Sequence, residues 1–263
     1  QVLCGNLRSI SPMLPGGSGL FSCLYAPLKG SRNRIALTSA IHDELDDWRL
    51  LLDSLASRPT HVNELVQKEL DYIRYCDASA FGAGGVWFGG NKELQPVVWR
   101  VQWPKDVTDA VVSDSNPDRG LTNFDLEMAG VLLQEAVLEA TIGPSAMIAT
   151  QTAIGCDNLP AAAWTSCMAS RSASPVSYRL FWGLAMRQRL TRSAPPAVFH
   201  IAGVQNTMAD VASQAVKGVA TPFHLLDKSP SAMCPETFLT LFNSTYPLPQ
   251  TLPWTNVQPP SAL

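Results

Sequence analysis

Short runs in which apolar and small residues alternate with polar ones mark the middle of the chain. "YIRYCD", "GGVWF" and "PVVWRV" follow one another at hairpin distances, with Gly89-Gly90-Asn91 between the last two, and predict three consecutive antiparallel strands. Before them, "LTSAIHDELDDWRLLLDSLASRP" places Ile41, Leu45, Trp48, Leu52 and Leu55 at helical spacing, with Thr38 or Ser39 as cap and Pro59 as stop. After them, "LTNFDLEMAGVLLQEAVLEAT" predicts a helix with Leu126, Ala129, Leu133 and Val137 on one face and Thr122 or Asn123 as cap. "AMIATQTAIGCD" holds a fourth strand. "LPAAAWTSCMAS" and "SPVSYRLFWGLAMRQRLTR" read as two helices broken near Ser174-Pro175. "PAVFHIAG" is a short fifth strand, and "NTMADVASQAVK" a last helix opened by Asn206. The order of elements predicts an α/β fold, a five-stranded mixed sheet with helices on it. Turn signals at Pro12, Pro15-Gly16-Gly17 and Gly19 interrupt the first thirty residues, and beyond about residue 220 Pro, Ser and Thr predict an extended tail with one short helix near Phe238.

Composition adds a few bounds. With 263 residues, 46% hydrophobic and 16% charged, the chain has ample material for a core. A net charge of −3 excludes a uniformly basic nucleic-acid binder but not a local basic face. The six cysteines include no C-x-x-C pair and His is scarce, so free thiols in a reducing compartment are expected rather than a zinc site. Asn243-Ser244-Thr245 is a formal glycosylation sequon without a signal peptide, and no apolar run approaches a membrane span, so no membrane partner and an intracellular location (cytoplasm, nucleus or virus-like particle) are expected. Gln1 falls in what looks like a helix, as in a piece of a longer polypeptide. Asp43, Glu44, Asp46 and Asp47 look like a metal cluster but read better as a solvated acidic first turn that suits the helix dipole.

Four acids stand at element ends: Asp77 closing the first strand, Glu127 early in the long helix, Asp157 closing the fourth strand and Asp210 opening the last helix. Singly, each reads as a turn or helix-dipole residue. Together, at one edge of a mixed sheet, they would repel one another without a cation. Hard oxygen ligands select Mg²⁺, or Mn²⁺ in its place, and two such ions suit phosphodiester cleavage. Alternation turns Cys76 and Cys156 away from the face of Asp77 and Asp157, toward burial under a helix. Gly130 is expected to let the long helix approach the sheet. Arg171, Arg179, Arg187, Arg189 and Arg192, in a stretch without acids, form either an electrostatic track for a duplex or the solubilising side of a helix. Trp87, Trp99 and Trp103 read as core or sheet-face packing. "FGAGGVWFGG" is not a dinucleotide loop, because a strand rather than a helix follows it.

"DAS" with "GAGGVWF", then "TNFDLEMAG", "CDN" and "HIAGVQNTMADVASQ", resemble the ribonuclease H family in the version fused to retroelement reverse transcriptases, over about residues 70–218. The resemblance implies a ribonuclease H-like fold over 67–220. It implies that Asp77, Glu127, Asp157 and Asp210 hold two Mg²⁺ ions, with Asp77 bridging both, Glu127 and Asp157 at the ion of the leaving 3′-oxygen, and Asp210 at that of the attacking water. His200, with Gly203 and Asn206, fits the family's histidine-loop pattern with one extra residue, and is either a proton shuttle or an ordinary strand-end histidine. Ser79, Thr122, Asn123, Asn158, Asn206, Arg187 and Arg189 are the expected contacts to an RNA–DNA hybrid, although capping explains Asn123 and Asn206 equally well. Residues 1–66 resemble a small helical remnant of a reverse transcriptase thumb or connection region, which makes the polymerase of the same polyprotein an expected partner. Residues 221–263 are the tail or linker. The implied activity is metal-dependent hydrolysis of the RNA strand of RNA–DNA hybrids. The alternatives are a non-catalytic nucleic-acid-binding connection module, which would be expected to have lost acids, and a polyprotein fragment that works only when joined to its polymerase.

Overall fold

The structure, a computed structural model, describes residues 2–15, 17, 20–25, 36–66, 69–89, 97–114, 117, 119–143, 145–148, 150–167, 175–214 and 251–253. Its elements, in chain order, are helices α1 (Val2–Ile10), α2 (Ser22–Tyr25) and α3 (Ser39–Ser57), strands β1 (Tyr72–Ala78), β2 (Gly82–Gly89) and β3 (Val97–Gln102), helices α4 (Lys105–Ala110) and α5 (Asn123–Ile142), strand β4 (Thr152–Cys156), helices α6 (Leu159–Cys167) and α7 (Pro175–Thr191), strand β5 (Ala197–His200), helix α8 (Thr207–Gln214) and strand β6 (Thr251–Pro253).

The sheet order is β5-β4-β1-β2-β3-β6. β1, β2 and β3 pair antiparallel, and β4 and β5 are added parallel beside β1, as the resemblance implies. The tail, expected to be extended, adds a short sixth strand on β3. The rest of it, including the helix expected near Phe238, lies outside the described residues.

Alternation along β1 sorts its side chains into two cores. Cys76 and Ala78 join the large cluster with α5, α6 and α7, while Ile73 and Tyr75 join a smaller cluster with Val86, Phe88, Val98, Ala209 and Ala212. α8 covers that second face, packing on β1, β2 and β3. Asp77 follows Ile73 and Tyr75, so its carboxylate leaves the sheet on the α8 side.

α5 departs from its predicted single apolar face. Residues Asp125 to Leu138 are all buried, because β1, β2, α6 and α7 enclose the helix. Two of its buried polar groups are tied to the sheet: Gln134 accepts from Trp99 Nε1 and donates to the Val86 carbonyl at 3.1 Å. Glu135 takes the Arg74 guanidinium at 2.6 Å. The three tryptophans are buried, as expected.

Thr38 caps α3 as predicted. The acids Asp43, Glu44, Asp46 and Asp47, expected as a solvated first turn, lie past the first turn of α3 and are not a solvated face throughout. Glu44 is fully buried and accepts from Leu24 N at 3.0 Å, and Asp47 accepts from the Tyr178 hydroxyl at 2.8 Å and pairs with Arg179. Leu7, Leu14, Leu20, Trp48 and Leu51 belong to the same hydrophobic cluster as Leu126, Phe181 and Leu184. Residues on both sides of position 66 therefore share one core. Among the described residues, no helix is long and apolar enough to cross a membrane.

Candidate metal-dependent nuclease site

β1 and β4 run parallel with Tyr75 beside Gly155, so their C-terminal ends lie next to each other. This puts Asp77 alongside Asp157, the first residue past β4. α5 starts at the same edge. Thr122 caps it reciprocally with Asp125, and the capped first turn presents Glu127, its fifth residue, toward the gap between β1 and β4. α8 brings Asp210 from the opposite face. Asp77, Glu127, Asp157 and Asp210 line one open cleft of about 370 Å³ in which, among the described residues, none of the lining is basic.

Electrostatics follow from that crowding. Burial, with Asp157 and Asp210 nearby, pushes the Asp77 carboxyl up to about 6, against the hydrogen bond it accepts from Ser213. Burial, then Cys156, Asp77 and Asp157, hold Glu127 well above the usual carboxylate range. Glu127 Oε2 is buried with no hydrogen-bond partner. A carboxylate oxygen stripped of water and left unpaired among other carboxylates fits a divalent cation, which supplies the missing partner and removes the repulsion.

The other expected site residues separate into groups. Ser79, Asn123 and Asn158 line the cleft. Asn158 also caps α6, with Oδ1 accepting from Ala161 N at 3.0 Å. His200 is exposed and lies outside the cleft lining, its Nε2 at 3.1 Å from the Asp157 carbonyl oxygen. Thr122 is occupied in capping.

Three expectations are corrected. Asn206 is buried and donates from Nδ2 to the Cys76 carbonyl at 3.1 Å, so it ties the start of α8 to β1 and does not face a nucleic acid. Arg189 is buried, with its guanidinium donating to Ser54 Oγ, Thr60 Oγ1 and the carbonyls of Ser54 and Arg58, which joins α7 to the segment after α3. Arg187 pairs with Glu139, twelve residues past Glu127 on α5, or roughly 18 Å along the axis. Arg179 pairs with Asp47, so each arginine of α7 has a partner within the chain; Arg192, just past α7, is exposed, and Arg171 lies outside the described residues.

Two site residues escaped the sequence reading. Ser213, one turn past Asp210 on α8, lines the cleft and donates its hydroxyl to Asp77 Oδ2. Its i+3 spacing from Asp210 was the available signal. Gly84 sits opposite Asp77 in the β1–β2 ladder, and α8 lies directly on it: a Cβ there would meet Ser213 N at 2.4 Å and Ala212 C at 2.5 Å. The glycine pattern after Asp77 thus seats a helix rather than a nucleic-acid backbone. Gly130, expected to permit close approach, has Ala78 Cβ no nearer than 3.8 Å to a would-be Cβ.

No family model matches the chain, and no curated protein matches it. Among solved structures, RNase H1 from the halophilic archaeon Halobacterium salinarum is similar at 15% identity and a TM-score of 0.38, over 57% of this chain and 98% of that one.

Proposed function

We propose that the chain is a metal-dependent endonuclease that hydrolyses the RNA strand of RNA–DNA hybrids. The observation that carries this reading is the convergence of Asp77, Glu127, Asp157 and Asp210 from four separate elements into one cleft. Asp77, Glu127, Asp157 and Asp210 would hold two Mg²⁺ ions, Asp77 serving both, Glu127 and Asp157 one and Asp210 the other. Bound ions of this kind generate a nucleophilic hydroxide and stabilise the leaving oxygen. The chain's own groups then do the rest. Ser213 holds Asp77 in one orientation through Oδ2. His200, exposed beside Asp157, can exchange a proton with solvent next to the cleft. Ser79, Asn123 and Asn158 offer short polar groups to phosphate and ribose 2′-hydroxyl, the group that distinguishes RNA from DNA.

We further propose that residues 1–66 derive from a reverse transcriptase and that its polymerase is a partner. The resemblance of that segment supports this, and so does its shared core with α7. The non-catalytic alternative is disfavoured by the presence of all four acids.

The test is cleavage of a labelled RNA–DNA hybrid with Mg²⁺ or Mn²⁺, with duplex DNA and duplex RNA as controls. RNA-strand cutting confined to the hybrid and abolished in Asp77→Asn is expected. Tight hybrid binding without cutting, with or without added polymerase, overturns the enzyme reading in favour of a binding module.

A further inference from the structure

The proposed hydrolysis has no use for a thiol, yet one borders the cleft. Cys156 Sγ and carboxylate oxygens of Glu127 and Asp157 all lie within 4.8 Å of one another. Cys156 is fully buried, and Glu127 Oε2 is the buried oxygen without a partner. Strand alternation does point Cys156 to the α5 face, away from Asp77. α5 delivers Glu127 to that same face, so sulfur and carboxylates meet at the end of β4. Cys156 Sγ donates to the Asn158 carbonyl oxygen at 3.8 Å, and Cys76 is fully buried on the neighbouring strand in the same hydrophobic cluster.

Oxygen-only sites select Mg²⁺, Ca²⁺ or Mn²⁺, whereas a thiolate turns selectivity toward softer ions. Zinc bonds of about 2.3 Å to sulfur and about 2.0–2.2 Å to oxygen, at tetrahedral angles, set the ligand atoms of one ion roughly 3.3–3.7 Å apart. The three ligand atoms here, all within 4.8 Å of one another, come to that spacing by rotation of the Glu127 and Asp157 side chains. We propose that Glu127, Cys156 and Asp157 form a mixed sulfur–oxygen site for a thiophilic divalent cation, Zn²⁺ or Cd²⁺, overlapping the acidic cleft and competing with Mg²⁺ there. Binding replaces the S–H proton of Cys156, which passes to solvent, with a metal–sulfur bond; no oxidation state changes. Cys76 is not among the ligands, and serves as the control thiol. The spacing rules for cysteine pairs miss such a site because its ligands come from a helix and a strand end. The inference deepens the nuclease reading as control of the same cleft, and only its inhibitory consequence rests on that reading.

The test is titration of the reduced full chain with Cd²⁺, read by the ultraviolet sulfur-to-cadmium charge-transfer band, in parent, Cys156→Ser, Cys76→Ser and Glu127→Gln. The expected result is a saturable band in the parent that is lost in Cys156→Ser and kept in Cys76→Ser. In Glu127→Gln the affinity should fall at least about tenfold, as for loss of even an outer metal partner. A band of equal size in parent and Cys156→Ser, or an affinity unmoved in Glu127→Gln, overturns the proposal. The Glu127→Gln arm decides alone if circular dichroism shows Cys156→Ser unfolded. Hybrid cleavage in Mg²⁺, run in parallel, separates the two readings. The expected cadmium behaviour without cleavage upholds this site and removes the nuclease, while cleavage without the band removes this site alone.

Discussion

Gly84→Ala tests whether the seat of α8 governs the site. The added Cβ would lie 2.4 Å from Ser213 N and 2.5 Å from Ala212 C, and these are backbone atoms that no rotamer change can move away. Non-bonded carbon contacts settle at about 3.5 Å, so α8 must retreat by roughly 1 Å. Overpacking of this kind costs about 1–3 kcal/mol, a melting shift of several degrees for a chain of this size. The larger effect is expected in function. Asp210 and the Ser213 hydroxyl ride on α8, and a misplacement of about 1 Å at a reacting centre costs on the order of 10²-fold in turnover. Two measurements suffice, steady-state cleavage of an RNA–DNA hybrid in saturating Mg²⁺ and hydrogen exchange of the α8 amides. Turnover should fall about a hundredfold while hybrid binding changes little, and α8 should exchange faster than in the parent, whatever the substrate proves to be. Unchanged turnover together with unchanged α8 exchange refutes the reasoning.

Gly130→Ala should behave oppositely: its Cβ has room beside Ala78, and removing a helix-interior glycine should stabilise the chain by about 0.5–1 kcal/mol in urea unfolding, with cleavage intact. Asp77 has its carboxyl raised from 3.8 to about 6, so the folded metal-free chain holds that proton more tightly than the unfolded one. The associated stability is present below pH 3.8 and is lost as pH rises through about 6. In chelator at neutral pH, Asp77→Asn should therefore unfold later than the parent, by a gain on the order of 3 kcal/mol less what the Ser213 contact contributes, while Mg²⁺ should raise the parent's melting temperature at pH 7 more than at pH 5. Arg74→Met leaves Glu135 charged, buried and unpaired, and should cost about 3–5 kcal/mol in denaturant unfolding, whereas Arg74→Met combined with Glu135→Leu should recover most of it. Asp47→Ala removes the acceptor of Tyr178 and Arg179, and should lower the melting temperature by an amount matching about 1–3 kcal/mol.

The strands and the four acids were legible because each rests on a local signal: a two-residue period, a cap, or a polar residue where an element ends. Thr38 and Thr122 cap the helices they were expected to cap. What was not legible depended on distant partners. Glu44 is buried because Leu24 N needs an acceptor, and Arg189 because carbonyls at Ser54 and Arg58 do; neither need shows in the residues beside them. α5 gives the same lesson in reverse. Gln134 and Glu135 lie outside the predicted apolar face, and their partners Trp99, Val86 and Arg74 all come from the sheet. The six-residue helix α4 is too short to declare a period. Gly84 was noticed for its neighbouring glycines, but the helix that needs it begins more than a hundred residues later.

α8 has eight residues, shorter than helices that hold together alone in water. Its order comes from lying on β2 and from the tie between Asn206 and Cys76. The free energy of its local opening is thereby separate from that of the whole chain, and can be much smaller. Each opening withdraws Asp210 and Ser213 together while the sheet and α5 stay folded. Such opening would be a reversible off state, whose occupancy, rather than global stability, would set the fraction of chains competent at any instant.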